Sequence, residues 1–301
     1  MGLIGNFTPQ LKRSTLSPDQ SGLESLQRAG ISIEPMEKKR DLTIVLRSVR
    51  FEERHRIVTG LTETQGRVSG MARNSISSRR FGGTLEPGVA SLWHFVEKPG
   101  AELVRIEETE IRREFAGIRK SLERLSASAW LCELVLLIAP EREPVPELFR
   151  LLANALAWLD ESPETEIREK YGLFLNLAAG KMLQLSGTQP RIAACESCEL
   201  PIENSNPETR FRGIPERASI LCTHCRPDGT DILSAQSLID LLGGLSLPIR
   251  KALENPSAPG RQHRALFHFI ENLLVHHAPG FDPSKVRSRE MLLAAMDESI
   301  R

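Results

Sequence analysis

The amino-acid sequence predicts an α+β protein, with a small β-barrel in its first half and a helical domain in its second half. Three observations predict this fold class. Apolar residues alternate with a period of two between residues 41 and 107, the period changes to 3.6 after Glu110, and two closely spaced cysteine pairs interrupt the helical half. A chain of 301 residues, of which 26% are charged and 40% hydrophobic, has an ordinary globular composition and enough length for two domains.

The barrel is predicted from five short strands that fit within residues 36–109. Turn-forming pairs separate them, with Gln65-Gly66 after the second strand and Pro99-Gly100 before the fifth. A polar loop that ends in glycine, residues 74–83, connects the third strand to the fourth. Strands of this number and length suit a small closed barrel. The five strands cover residues 42–46, 55–63, 67–73, 89–96 and 101–106.

The helical domain is predicted over residues 110–301, where apolar residues recur at helical spacing. Its first helix covers residues 110–138 and ends before Pro140. Cys132 lies inside this helix, and we expect it to be a buried, unreactive thiol. A cysteine module occupies about residues 190–229. The remaining helices are predicted at residues 146–159, 165–185, 235–242, 262–277 and 285–296.

Four of the five cysteines form two C-x-x-C pairs, the most informative motif in the chain. Cys195 and Cys198 make the first pair, and Cys222 and Cys225 make the second. Each short turn can direct two thiolates at one point, so two such turns form the tetrahedral sulfur site that Zn²⁺ prefers. Four thiolates leave no coordination position for a reacting water, which predicts a structural zinc. An iron–sulfur or redox site and a pair of disulfides remain as alternatives.

Charge is unevenly distributed in the predicted barrel, although the whole chain carries 39 acidic and 39 basic residues. Residues 38–80 contain eleven Lys or Arg and four Asp or Glu, whereas residues 81–110 contain two basic and six acidic residues. This segregation predicts a basic face that binds nucleic acid, and a solvated surface of uneven composition is the alternative. Arginines beside an aromatic side chain, here Phe81, suit single strands, because guanidinium groups contact phosphates and planar groups stack on bases. The candidate nucleic-acid-binding residues are Arg47, Arg50, Arg54, Arg56, Arg67, Arg73, Arg79 and Arg80.

The amino-terminal segment, residues 1–35, is rich in Ser, Gly, Pro and Gln and has no apolar periodicity, which predicts a disordered leader. Met36, directly before the first strand, is a candidate alternative start of translation. The leader lacks the basic start, apolar core and cleavage site of a secretory signal, and no apolar run in the chain has the length that spans a membrane. Thiols arranged for metal binding fit a reducing compartment. We therefore expect a cytoplasmic protein without a membrane partner.

Motifs of several common enzyme classes are missing from the sequence. It contains no G-x-x-x-x-G-K-[ST] phosphate loop, no H-E-x-x-H helix, no G-x-S-x-G nucleophile elbow and no zinc-deaminase signature. No pair of carboxylates stands out from the many surface glutamates. We therefore expect a binding protein without catalytic residues.

Several segments, in matching order, resemble the RecO family of bacterial recombination mediators. The barrel segments begin at Val45, Gly66 and Glu102, and read VLRSVRF, GRVSGMARNSISSRRFGGTLEPG and ELVRIEETE. The cysteine quartet matches the zinc module that many members carry. The tail from Leu266, LFHFIENLLVHHAPGFDPSKVRSREML, resembles the closing helices of the family. Together these segments span about residues 38–297, and their order and spacing carry the resemblance.

The resemblance implies an OB-fold barrel followed by an all-helical domain with a four-cysteine zinc module. It further implies a nucleoid-associated DNA repair protein that binds single- and double-stranded DNA, anneals complementary strands and helps load the recombinase RecA onto DNA coated with the single-strand binding protein SSB. RecR and SSB are the expected direct partners. Two alternatives remain from the residues alone: a zinc-stabilised nucleic-acid-binding regulator of transcription or RNA, and a metal-dependent nuclease.

Overall fold

The structure, a computed structural model, describes residues 37–203, 205, 209–228, 232–254, 258 and 260–299. The predicted leader, residues 1–35, lies outside the described residues. Among the described helices, none combines the length and the apolar character that crossing a membrane requires.

The first part of the chain forms a closed five-stranded barrel, in the order β1-β2-β3-β5-β4. Neighbouring strands are antiparallel except β3 and β5, which run parallel. Closure leaves no unpaired sheet edge, and this strand number and arrangement confirm the predicted OB-fold. The strands are β1 Glu37–Phe51, β2 His55–Thr62, β3 Gly66–Ala72, β4 Ala90–Glu97 and β5 Val104–Arg113.

Strand β1 is apolar on both faces because it lies between two cores. Val45 points into the barrel core. Ile44 and Leu46 belong instead to the large core of the helical domain, as does Leu61 of β2. The barrel and the helices therefore bury apolar surface against each other, and we expect them to unfold together.

The second part of the chain contains seven described helices, and six of them pack around the seventh, which is long and central. That helix, α3, is buried along most of its length, and Phe174 on it stacks on Trp158 with ring centroids 4.5 Å apart. The helices are α1 Leu122–Ile138, α2 Pro146–Glu161, α3 Glu164–Leu185, α4 Ala235–Leu245, α5 Ile249–Ala252, α6 Gly260–His277 and α7 Arg289–Ser299.

The prediction of one helix over residues 110–138 is wrong at its start. Strand β5 continues to Arg113, which pairs with Ala90 of β4. A short 3-10 helix, Ala116–Lys120, follows, and α1 begins only after Ser121, whose hydroxyl accepts a hydrogen bond from the backbone N–H of Arg124. Barrel closure needs a long fifth strand, and this requirement overrides the apolar spacing that suggested a helix. The predicted boundary between residues 109 and 110 consequently falls inside β5.

The last helix begins later than residue 285, where it is predicted. Pro283–Lys285 forms a 3-10 turn, and α7 starts at Arg289. The backbone N–H and the hydroxyl of Ser288 both donate to Glu133 of α1, at 2.9 and 2.7 Å. This contact fixes the start of α7 against α1.

The predicted helical domain is confirmed, but it is not all-helical. It includes a four-stranded sheet in the order β6-β8-β7-β9, and two of the cysteines end its strands. The sheet packs tightly on α6, since a Cβ atom on Gly213 would lie 2.1 Å from the ring of Phe269. His277 near the end of α6 also donates from Nε2 to the carbonyl of Pro215 at 2.7 Å. The strands are β6 Arg191–Cys195, β7 Arg210–Ile214, β8 Ser219–Cys222 and β9 Ile232–Ser234.

Candidate metal centre and nucleic-acid interface

The four cysteines predicted as metal ligands lie together at one edge of the small sheet. Strands β6 and β8 are parallel neighbours, so their carboxyl ends meet, and each strand ends at the first cysteine of a pair. The turn after each strand brings the second cysteine back toward the first, and Glu199 in the first turn adopts a left-handed backbone with φ of 58°. Their four sulfur atoms lie within 4.8 Å of one another.

The distances fit a tetrahedral metal. The sulfurs of Cys198 and Cys222 are 3.7 Å apart. An ion about 2.3 Å from each sulfur, the usual zinc–thiolate distance, would place two ligands at close to this separation. Metal sites are formed by three or more His, Cys, Asp or Glu side chains that lie close together. Among the described residues, these four cysteines are the one such group. The described part of the chain thus offers no carboxylate cluster of the kind a metal-dependent nuclease uses.

The electrostatics of the cluster also favour a cation. Burial opposes ionisation of Cys195, yet backbone N–H groups directed at its sulfur lower its pKa to about 6. One of these donors is the N–H of Cys222, at 3.2 Å. The sulfurs of Cys198 and Cys222 in turn raise the pKa of Cys225 to about 12. Four adjacent thiolates therefore do not ionise together at neutral pH by themselves, and a bound divalent cation would balance their charge.

Side chains around the cluster hold both turns in place. Arg212 donates to the carbonyls of Arg226 and Pro227, at 3.0 and 2.7 Å, after the second cysteine pair. Glu196 in the first turn accepts from Ser219 at 2.8 Å and pairs with Arg191 at 3.0 Å. These contacts hold the two turns that carry the four candidate ligands.

The arginines predicted to bind nucleic acid are brought to one end of the barrel by two loops. The turn between β1 and β2 contacts the β3–β4 loop through two hydrogen bonds. The backbone N–H of Ile76 donates to the carbonyl of Arg54 at 3.3 Å, and the N–H of Asn74 donates to Nδ1 of His55 at 2.9 Å. We call this surface the basic end; its arginines are Arg50, Arg54, Arg73, Arg79 and Arg80.

The arginines of the basic end are exposed, and so is Arg47 on the outer face of β1. Among the described residues, no carboxylate lies within 4 Å of any of these six guanidinium groups. Glu52 and Glu53 do lie in the same turn as Arg54, so the surface is not purely basic. Arg80 also donates from Nε to the hydroxyl of Ser78 at 3.4 Å. Guanidinium groups that lack a carboxylate partner and cluster in this way attract a polyanion such as a nucleic-acid backbone.

Two of the eight candidate arginines form ion pairs with carboxylates and link separate elements of the protein. Arg56 pairs with Glu86 at 2.7 Å and joins β2 to the β3–β4 loop. Arg67 donates to the carbonyl of Leu136 at 2.9 Å and lies 3.6 Å from Glu141, so it links the barrel to the helical domain. Both are half-buried. The structure therefore places six of the eight candidates where a nucleic acid could contact them and gives the other two a structural role.

The aromatic residue singled out in the sequence, Phe81, is not available for stacking on a base. It is only 3% exposed and packs into the barrel core. Sequence reasoning missed Phe51 instead, which is 39% exposed on the outer face of β1. The signal that could have found it is the alternation of Arg47, Val49 and Phe51 on one face of the strand.

Comparisons with known proteins match both parts of the chain. The family pattern described as "Recombination protein O N terminal" matches residues 36–115, and the pattern described as "Recombination protein O C terminal" matches residues 119–285. The two matches divide the chain close to the end of β5.

Curated relatives match over most of their length. A DNA repair protein RecO from Anaeromyxobacter sp. (strain Fw109-5) is 34% identical over 243 residues, 77% of this chain and 89% of the relative. DNA repair protein RecO from Rhodopirellula baltica is 30% identical over 72% of this chain and 81% of its own, and that from Synechococcus sp. (strain JA-3-3Ab) is 30% identical over 74% and 72%. The resemblance found in the sequence is thereby confirmed, and the chain belongs to the RecO family of DNA repair and recombination proteins.

Proposed function

We propose that this protein is a DNA-binding recombination mediator of DNA repair. It binds single- and double-stranded DNA, anneals complementary strands, and acts with RecR to help load RecA onto DNA coated with SSB. The observation that carries this proposal is the cluster of six exposed arginines without a carboxylate partner among the described residues. It acts in the cytoplasm, in association with the nucleoid.

Annealing by such a protein needs no active site. A basic surface reduces the repulsion between two phosphate backbones and keeps both strands at a high local concentration. The free energy of base pairing then drives the reaction, so ATP is not required. We accordingly propose that the protein is not an enzyme.

The metal held by the four cysteines is proposed to be Zn²⁺ in a structural role. A complete set of four thiolates suits zinc and leaves no open position for chemistry. The ion would join β6 to β8 at the edge of a sheet that packs on α6, and so would stabilise the helical domain rather than contact DNA.

The native protein should contain about one zinc per chain and no rapidly reacting thiol. Adding an organomercurial should release the zinc in step with the loss of four thiols, because the metal protects all four ligands. Cys132 should stay unreactive in the folded protein, since burial raises its pKa to about 12. Spectrophotometric titration of released zinc measures this. A Cys132→Ala variant, the matched control, should release the same amount of metal, whereas five freely reacting thiols with no metal would contradict the assignment.

The acidic, apolar-ended tail of SSB is proposed to bind a groove between the barrel and the helical domain. The groove has a volume of about 600 Å³, with Leu46 and Leu136 on its apolar side and Lys285 and Arg287 at its rim. Its one acidic group, Glu133, accepts two hydrogen bonds from Ser288. An apolar groove with cationic groups at its rim suits a peptide that ends in apolar residues and a carboxylate.

Other basic residues of the helical domain suit this role less well. Arg289 forms two hydrogen bonds with Glu271, both 2.7 Å long. Arg264 pairs with Asp297 and also donates to the carbonyl of Leu293. Arg287 is exposed at the groove, which makes it the preferred arginine for contact with the tail.

Strand annealing tests the proposed function. The protein should anneal naked complementary strands without ATP, and strands coated with intact SSB faster than strands coated with SSB that lacks its tail. Reversal of both groove residues, Lys285→Glu with Arg287→Glu, should slow only the reaction with intact SSB. Arg150→Glu, on an exposed part of α2, is the control. Equal rates with both forms of SSB would exclude the tail, and failure on naked strands would exclude the mediator function.

A further inference from the structure

An apolar groove, separate from the one described above, lies where the ends of four helices of the helical domain meet. The last residues of α1 and α3 and the first residues of α2 form its walls, and Pro279 lies at its edge just after α6. Its volume is about 540 Å³, which is in the range of sites that hold a ligand or several side chains. Its apolar lining includes Ile138, Val145, Leu148, Met182 and Leu185.

This groove at the helix ends has a buried floor and an open edge. Leu148 and Met182 are at most 5% exposed, so they belong to the packed core. Leu185, the last residue of α3, is instead 46% exposed, and Val145 is half-buried. A large apolar side chain that is left in solvent at the edge of an apolar groove indicates a surface that a partner covers.

The side chains that line the groove give it a negative charge. Glu143 and Glu147 line it, and among the described residues no Lys, Arg or His does. Glu147 pairs with Arg150 at 3.0 Å. Glu143 is exposed and has no cationic side chain within 4 Å in the described part of the chain, since its neighbour Arg142 pairs with Glu97 of the barrel. The carboxylate of Glu143 is therefore available to a ligand.

The backbone adds to this negative charge. Residues at the carboxyl ends of α1 and α3 line the groove, and the carbonyl groups at the end of a helix carry a partial negative charge. The amino end of α2 has the opposite partial charge, and Glu147 in its first turn offsets it. The groove therefore favours a ligand that combines apolar side chains with a cation.

The groove proposed for the SSB tail has the opposite charge. The two grooves adjoin at Leu137, which lines both. Lys285 and Arg287 lie at the rim of the groove proposed for the tail, whereas Glu143 lines this one. An acidic peptide would be repelled here, so the two grooves suit ligands of opposite charge.

We propose that the groove at the helix ends binds a segment of a partner protein in which apolar side chains lie beside lysine or arginine. The apolar side chains of the segment cover Leu148, Met182 and Leu185, and one of its cations pairs with Glu143. Such a partner is additional to DNA and to the SSB tail. The proposal therefore does not depend on the proposed function.

Two short labelled peptides test the charge preference. One carries leucines flanked by lysines, and in the other each lysine is replaced by glutamate. The full-length protein should bind the lysine peptide more tightly, as measured by fluorescence anisotropy. Glu143→Lys should weaken this binding about tenfold, because it replaces an attraction with a repulsion. Glu169→Lys, the same charge change at an exposed position of α3, is the matched control and should leave the affinity unchanged.

The apolar part of the groove is tested with the same lysine peptide. Leu185→Ser removes the exposed apolar side chain at the edge and should also lower the affinity. Leu247→Ser removes a leucine that is 42% exposed elsewhere on the helical domain, and this control should bind as the wild-type protein does. Thermal unfolding verifies that each variant is folded.

A tryptophan at position 185 reports contact directly. The three native tryptophans, Trp93, Trp130 and Trp158, are at most 1% exposed, so Leu185→Trp introduces the exposed indole. The lysine peptide should shift the emission of this indole to shorter wavelength, because it covers the side chain. This result would support contact at the groove.

Several results would overturn the proposal while leaving the proposed function intact. The first is no binding of the lysine peptide, or equal binding of both peptides. The second is wild-type affinity of both Glu143→Lys and Leu185→Ser, or no emission shift in a complex that has formed, which would place the peptide elsewhere. The third is a dimer of the protein alone, measured by sedimentation, that Leu185→Ser abolishes. That result would assign the groove to a second copy of this chain.

Discussion

Replacing Cys198 with Ser should abolish stable metal binding and lower the free energy of unfolding by several kcal/mol. Structural zinc contributes on the order of 10 kcal/mol to the folding of small peptides, and a protein of ordinary stability has only about 5–15 kcal/mol in total. Cys198 is exposed, so the substitution itself removes little apolar packing. The loss should therefore report the metal. Denaturant unfolding combined with elemental analysis measures both effects.

The structure also predicts how far the effect of metal loss extends. From the sequence alone, the barrel is a separate domain, and loss of zinc is expected to destabilise the helical domain without affecting the barrel. The small sheet packs on α6 through Gly213 and Phe269, however, and the core that includes α6 also contains Ile44 and Leu61 of the barrel. We therefore expect Cys198→Ser to unfold in a single transition that includes both domains, at a lower denaturant concentration than the wild-type protein. Cys132→Ser is the control for loss of a thiol outside the metal site, and it should retain its zinc. A Cys198→Ser protein with wild-type stability would show that the metal is dispensable.

Strand positions and the cluster of four cysteines could be predicted from the sequence because each depends on local signals. Alternating apolar residues and glycine-containing turns define the barrel strands, and the C-x-x-C spacing defines the candidate ligands. The parallel arrangement of β6 and β8, which brings the two cysteine pairs together, could not be predicted. It depends on pairings between distant segments, including a strand, β7, that lies between them in sequence.

The start of the helical domain could not be predicted because it depends on tertiary structure. Ile111 has helical spacing with Phe115 and Ile118, yet Ile111 pairs with Ser91 as part of β5. Here the strand pairing that closes the barrel outweighs the helical spacing of the apolar residues. Tertiary structure of this kind is the usual reason why a local pattern predicts the wrong secondary structure. Phe115 has a positive φ of 50° between the strand and the 3-10 helix, a feature that spacing alone does not reveal.

The roles of the individual arginines were also beyond the reach of the sequence. Arg54 lies in the turn before β2, and Arg56 lies two residues later, in β2 itself. Glu86 forms an ion pair with Arg56 only. Arg67 differs from the exposed arginines because it donates a hydrogen bond to the carbonyl of Leu136, a residue distant in sequence. A count of charges finds the basic region, and only the fold separates the exposed arginines from Arg56 and Arg67, which bind other parts of the protein.

Reversing Arg73, Arg79 and Arg80 to Glu should produce the largest change in DNA binding. All three are exposed at the basic end, and Ser78 and the buried Phe81 hold the 3-10 helix that carries Arg79 and Arg80. We expect a loss of affinity on the order of a hundredfold or more at about 0.1 M salt, with a salt slope reduced by about 2, because each phosphate contact on a single strand contributes about 0.7 to that slope. The loss should be similar for all sequences, since contacts to phosphates carry no base information.

A matched triple variant distinguishes a local binding surface from a general effect of net charge. Arg119→Glu, Lys120→Glu and Arg150→Glu change the charge of the protein by the same amount at exposed positions of the helical domain. If the basic end binds DNA, this control should lose little affinity and keep the wild-type slope. Equal losses in both variants would mean that long-range attraction alone holds the DNA. Wild-type affinity in the first variant would move the interface elsewhere on the protein. Fluorescence anisotropy over a series of salt concentrations, with thermal unfolding to verify the fold, decides between these results because the slope counts the phosphates in contact.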